Sequence, residues 1–321
     1  MRLPGSRRTS PRQMAPRTRA CLALLVLLGL QVAGSGASAL AVPPQPPGDW
    51  NTGIPAGTSL RPSGPLVVTD NATVIDGLDV QGCVQVKAHL VTIRRTRVRC
   101  ADWFGIRVHE GYRATRVEDV EVDGLGSPSS IGVSGAYLTL RRSNIHGVGD
   151  GVRVGSNSLY EGNFIHDLAI GDGSHNDGMQ VTGAATNATI RGNTIVHVRR
   201  QTSAIIVKAD QGPIRDILIE GNWLNGGTYT LYAYSTQQHD TQDVTVRHNR
   251  FGRDHVYGAV ATKNPQGLRW EGNVWDDTEQ PVPPPRSAED PESQPEPSPL
   301  DGEIVLLREL LEMVRWLARR M

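Results

Sequence analysis

The chain has 321 residues, 38% of them hydrophobic and 21% charged, with 35 Gly, 21 Pro and few aromatics (Trp 6, Tyr 7, Phe 3). This composition excludes a wholly disordered chain, a disulfide-packed miniprotein and a many-span membrane protein. The formal net charge is zero but unevenly placed: residues 1–39 carry six Arg and no acid, and 276–297 carry seven acids against Arg286. The remaining body is close to neutral, so it offers no basic footprint for nucleic acid.

At the amino terminus, Arg2, Arg7, Arg8, Arg12, Arg17 and Arg19 precede an apolar run, Ala20 to Leu30, which leads to Ala37-Ser38-Ala39. A basic region, a short apolar core and an A-x-A site predict a secretory signal over 1–39, cut after Ala39. The run is too short to span a bilayer, so no transmembrane segment is expected in the mature chain. Residues 40–70 are read as a lead-in.

From there a short pattern recurs, an apolar strand closed by a charged residue and often by Gly-Asn. It is seen at Val74-Ile75-Asp76, Thr92-Ile93-Arg94, Arg116-Val117-Glu118, Thr139-Leu140-Arg141 and Leu159-Tyr160-Glu161-Gly162-Asn163. It continues at Thr189-Ile190-Arg191-Gly192-Asn193, Leu218-Ile219-Glu220-Gly221-Asn222, Thr245-Val246-Arg247-His248-Asn249 and Arg269-Trp270-Glu271-Gly272-Asn273. Periods of two to three dozen residues mean that each unit buries its apolar face only by stacking on its neighbours. Each period holds a second strand with period-two alternation, such as Ile106-Arg107-Val108-His109, Val152-Arg153-Val154 and Met179-Gln180-Val181-Thr182. Two or three short strands per period, Gly-rich corners and no helical stretch predict a stacked parallel coil over 71–277, and neither a leucine-rich repeat nor a propeller fits.

Through these strands and corners the stretch from about 70 to 275 resembles the right-handed parallel β-helix family, the pectate-lyase-like fold of secreted polysaccharide enzymes, and in particular its actinobacterial members. The resemblance implies an all-β chain, a single-stranded right-handed parallel β-helix of about nine coils, and an extracellular polysaccharide as partner. The Gly-Asn corners look like that family's internal Asn ladder, with Asn expected to tolerate left-handed backbone and to bond the same atom of the next coil.

Cys83 and Cys100 fall at nearly the same corner of adjacent coils, and coils stack about 4.8 Å apart. In a secreted chain that spacing predicts a Cys83–Cys100 disulfide rather than two separate core thiols.

If the second strands stack in register, their outward residues form two rows. One is Gln85, Arg107, Arg153, Gln180, Ile206, Tyr232; the other is Lys87, His109, Gly155, Thr182, Lys208, Tyr234. Asp150-Gly151 and Asp177-Gly178 open two of these strands one coil apart, close enough for like-charge coupling to raise one pKa. The polar stretch Asp172 to Met179 occupies the longest period and adds His175 and Asn176. Asp177, Asp150, His175 and Lys208 are the catalytic candidates. Arg107, His109, Arg153, Asn176, Gln180, Tyr232 and Tyr234 are the substrate-binding candidates. The competing reading is that Asp-Gly merely turns the chain into the strand, as at Asp123-Gly124. No metal spacing is evident and no cofactor is expected, although a carboxylate pair of this kind is also a Ca²⁺ ligand chemistry. The polygalacturonase pattern of the resembled family is unmatched, since Asn176-Asp177 stands where an Asp-Asp pair is needed.

After Trp275, eight prolines and four acids in 281–299 predict a disordered, acidic Pro-rich linker over 278–297. Residues 298–321 then read as an amphipathic helix, with Ser298 as N-cap and a stripe of Ile304, Leu307, Leu311, Val314, Ala318 and Met321. Such a helix needs a partner, and self-association is favoured over docking as a cap or lying on a membrane. Two functions are carried forward. One is a secreted glycan lyase or glycoside hydrolase with its groove around Asp150 and Asp177. The other is a non-catalytic glycan-binding or adhesion module, multimerised by the terminal helix.

Overall fold

The computed structural model describes residues 45–197, 201–263 and 267–285. The expected signal (1–39) and terminal helix (298–321) lie outside the described residues, as does most of the expected linker.

The strands wind as a parallel coil with three faces. The first face stacks Arg61–Ser63, Leu78–Gln81 and Arg97–Arg99, followed by the opening parts of Glu121–Gly135 and Asn144–Val154, and ends at Val274–Trp275. The second runs from Leu66–Val68 through Phe104–Val108, Asp177–Val181, Ser203–Lys208 and Tyr229–Tyr234 to Gly258–Thr262. The third is a nine-stranded sheet from Val74–Asp76 to Leu268–Glu271, which gives the nine coils expected. Its central residues pair in the order read from the repeat: Ile75 with Ile93, then Val117, Leu140, Tyr160, Ile190, Ile219, Val246 and Trp270. No α-helix occurs among the described residues.

Alternation explains why these segments form strands: one residue in two is Val, Ile or Leu and points inward, where the faces meet in one core. Val80, Val98, Val122, Ile145, Ile165 and Ile195 on the first face, and Ile106, Val133, Val152, Met179 and Ile205 on the second, are fully buried. Each such side chain contributes about 1.5–3 kcal/mol.

At the corner between the third and first faces, Asn163, Asn193, Asn222, Asn249 and Asn273 stack inside the coil. Each Asn from 163 to 249 donates its Nδ2 to the next Oδ1 at 2.8–2.9 Å, and its backbone N–H donates to the same oxygen. Each Nδ2 also reaches a backbone carbonyl of the preceding coil, as Asn222 reaches Ile190. The left-handed backbone belongs to the residue before each Asn and not, as expected, to the Asn itself. Gly162, Gly192, Gly221 and Gly272 have φ of 66°, 61°, 63° and 59°, with His248 at 55°. Glycine turns the corner at low cost and leaves the amide free to face inward.

On the outside of that third face the charged residue closing each strand alternates in sign for all nine coils: Asp76, Arg94, Glu118, Arg141, Glu161, Arg191, Glu220, Arg247, Glu271. Glu161 bonds Arg141 at 2.8 Å on one side and Arg191 on the other, and Glu220 bonds Arg247 at 2.8 Å.

Both ends differ from expectation. The coil opens at Arg61, inside the expected lead-in, because Pro62, Gly64 and Pro65 mask two short strands that tolerate proline at the free edge. At the other end, residues that read as linker fold back. Val274 bridges Pro281 antiparallel, Val282 is 4% exposed in the core, and Trp270 Nε1 donates to the Val282 carbonyl at 3.0 Å. Residues 45–58 form a strap that clasps the coil far along its length. Gly53 N–H donates to Arg142 O at 2.7 Å, and Asn144 Nδ2 donates to Asp49 Oδ1 at 2.9 Å. The predicted Cys83–Cys100 disulfide is present with Cα atoms 5.1 Å apart, closing a loop of sequence separation 17. A loop of that size stabilises by about 3 kcal/mol.

Candidate functional site

Asp150 and Asp177 stand in register at the start of second-face strands, in the row Phe104, Ile131, Asp150, Asp177, Ser203, Tyr229. The glycines that follow, Gly151 and Gly178, are required by close backbone approach. A Cβ on Gly151 would lie 2.3 Å from Gly178 O, and one on Gly178 2.3 Å from Ile195. The Asp-Gly pairs therefore pack the corner tightly and leave the carboxyls for other work.

The two carboxyls share a hydrogen-bond chain. Asp177 N–H donates to Asp150 Oδ1 at 3.0 Å, Ser203 Oγ donates to Asp177 Oδ1 at 2.6 Å, and Gln180 Nε2 donates to Asp177 Oδ2 at 3.3 Å. Asp177 is 2% exposed, whereas Asp150 is partly open. Burial pushes Asp150 up to about 6, opposed by the Asp177 amide and by Arg153. Burial likewise pushes Asp177 up to about 7, with the Asp150 charge adding to it and Ser203, Gln180 and Lys208 opposing. Like-charge coupling was expected to do this and to raise one group; burial does most of it, and raises both.

Gln85, Arg107, Arg153, Gln180, Ile206 and Tyr232 do form one outward row, with Ser134 inserted between the two arginines. Arg107 and Arg153 are therefore two coils apart. The guanidinium carbons of Arg107 and Arg153 lie 4.6 and 5.8 Å from the centre of the Phe104 ring. No ion pair of either arginine is recorded among the described residues, while Arg94, Arg97, Arg99, Arg141, Arg142, Arg191 and Arg247 all hold acids. His109 Nε2 meets Gln85 Oε1 at 2.6 Å; burial, with help from Arg107 and Lys87, lowers its pKa.

Other candidates sit differently. His175 is exposed in the preceding loop and makes no recorded bond to either carboxyl. Lys208 pairs with Asp210 at 3.2 Å. Asn176 is 4% exposed; its Nδ2 donates to Pro128 O at 3.3 Å and its carbonyl meets His197 Nε2 at 2.9 Å, so it pins the loop in place. Tyr232 bonds Thr228 through its hydroxyl at 2.6 Å, and Tyr234 is only 7% exposed, which leaves little of its ring to stack on a ligand. Ser203 escaped the sequence reading because Ser203-Ala204 lacks the Asp-Gly signature of its row, although its register with Asp177 was available. Phe104 escaped because one apolar residue at a strand start carries no periodic signal.

Among the described residues no group of three or more His, Cys, Asp or Glu is placed to hold a metal ion. No helix among them is long and apolar enough to cross a membrane.

Residues 129–280 match the family described as right handed beta helix region. Among solved structures the chain is similar to a tailspike protein mutant of E. coli bacteriophage HK620 in complex with pentasaccharide, at 14% identity and a TM-score of 0.48, covering 68% of this chain and 44% of that one. It is also similar to the A-module of the Azotobacter vinelandii mannuronan C-5 epimerase AlgE4, at 17% identity and a TM-score of 0.34, covering 67% and 78%. A third is the Agl-KA catalytic domain, at 13% identity and a TM-score of 0.34, covering 63% and 47%. The chain thus spans less than half the length of the tailspike. No curated protein matches.

Proposed function

Taking the coil as a right-handed β-helix, the fold that residues 129–280 match, we propose that this is a secreted protein that binds an extracellular polysaccharide along its second face. The observation that carries the reading is the placement on the second face of Arg107 and Arg153, which form no ion pair among the described residues, with the partly open Asp150 three residues before Arg153 on the same strand. Guanidinium forks suit carboxylate or sulfate groups on a sugar, and the partly open Asp150, raised to about 6, accepts hydrogen bonds from hydroxyls when ionised and donates one below that pH. A rigid stack of strands holds these groups at a fixed spacing, which suits a polymer of fixed repeat.

A second reading, cleavage, is favoured by the raised pKa of Asp150, the partly open member of the pair. It would serve as general acid at a glycosidic oxygen. Asp177, at 2% exposure, acts through Asp150 in either case, as a group that positions it and shares its charge.

The test is a panel of uronate-containing, sulfated and neutral polysaccharides, assayed for retention on the immobilised protein, for new reducing ends and for unsaturated-uronate absorbance. Retention lost in Arg153→Ala is the expected outcome. New ends or absorbance in the wild type and not in Asp150→Asn would promote the second reading, and no retention of any member would overturn the first.

A further inference from the structure

Trp103 is 63% exposed, among the most exposed large apolar side chains of the described residues. It occupies the corner between the first and second faces, immediately before Phe104, and its ring lies nearly parallel to the Phe104 ring (interplanar angle 13°, centroids 6.0 Å apart). The corner is held rigid on every side. Asp102 Oδ1 accepts the Trp103 N–H at 2.7 Å, Ile131 N–H donates to Trp103 O at 2.8 Å, and Cys100 N–H donates to Asp123 O at 3.0 Å. The Cys83–Cys100 disulfide ties the start of the same corner to the coil below. The backbone that carries the indole is thus fixed, so covering the ring costs little main-chain conformational entropy.

We propose that Trp103, backed by Phe104, is a stacking platform for a sugar ring, a subsite at one end of the polysaccharide groove; this rests on the glycan reading above. Phe104 begins the row that contains Asp150 two coils away, which places the platform about 10 Å from that carboxyl along the coil axis. A short oligosaccharide lying parallel to the axis covers both. Arg107 and Arg153, held over Phe104, flank the path between them. The occupant is a carbohydrate because the surroundings are wrong for a protein partner. Asp102 is exposed beside the indole, Ser129 is exposed and Ser134 half-buried on the next coil, and the exposed apolar groups there, Ala101, Leu125 and Pro128, are small or set apart at the next corner. Two neighbouring aromatic rings beside an exposed carboxylate and two guanidinium groups match the apolar ring face and polar rim of a sugar, whereas protein interfaces need a broader apolar centre.

Calorimetric titration of the mature chain with hexasaccharides from polygalacturonate, alginate and dextran, followed in parallel by tryptophan emission, tests the platform. Trp103→Ala should weaken binding of whichever oligomer the wild type takes by about tenfold and abolish its emission change, while Trp103→Phe keeps most of the affinity. Unchanged affinity in Trp103→Ala together with loss in Arg153→Ala would overturn the platform and leave the glycan reading standing. Failure of the wild type to bind any of the three would overturn both.

Discussion

Asp150 and Asp177 hold their protons more tightly in the folded chain than in the unfolded one, where a carboxyl titrates near its ordinary value of 3.8. The folded state therefore binds more protons, so their contribution to stability is fully present below about pH 4 and is lost as pH rises through about 6 and 7. Asp76 and Glu121, beside their arginine and histidine partners, are shifted the other way and finish titrating at lower pH, whereas His146, raised by Glu121, and His109 and His197, lowered by burial, titrate around the same window and are common to wild type and variant. Thermal melts of wild type and Asp177→Asn over that window should diverge, with the variant gaining relative stability as pH rises; a constant difference would disprove the burial of charge. The row containing this pair was legible because Asp-Gly occurs twice at one phase of the repeat. What escaped was the direction of each side chain: the same spacing fits an open groove and a carboxyl at 2% exposure, and only packing decides between them.

At the level of single elements, two ladders hold successive coils in register by different means. The internal one is made of amides that each give and take, so its removal leaves polar groups stranded. Asn222→Ala removes the acceptor for the Asn193 N–H and Nδ2 and frees the Ile190 carbonyl. The expected cost is about 3 kcal/mol in denaturant unfolding; a loss below about 1 kcal/mol would mean that water replaces the amide. The external ladder is weaker, since its members are substantially exposed, with side-chain values of 31% for Glu161 and 46% for Arg191. Its value lies in sign: Glu161→Arg would set three arginines in adjacent coils and destabilise by about 1 kcal/mol at low salt, less at high salt. A penalty insensitive to salt would refute that account. Both ladders were present in the sequence, the Asn corners plainly and the strict alternation of sign unnoticed, because each charge taken singly reads as an ordinary solvated strand end.

On the scale of the whole molecule, the two ends of the coil are closed differently. Val282 plugs the last coil beneath Trp270, whereas Val67 and Val74 of the first are 62% and 56% exposed. In a stack where each coil touches only its neighbours, opening begins at an end. Val282→Asp should therefore raise amide hydrogen exchange over 244–275 while leaving 117–165 protected; uniform loss of protection would show that the coil unfolds as one unit. The order in which the third-face strands stack followed from the repeat. The ends did not, because prolines at 62, 65 and 281 carry the same composition whether they edge a sheet or lie in a tether.

The strap adds a matter of timing. Its Asp49 and Gly53 leave the ribosome early, yet their partners Asn144 and Arg142 are made some ninety residues later. A segment made before any coil is thus among the later parts to be fastened, and a nascent chain halted before Arg142 would carry it loose over coils that have already begun to wind.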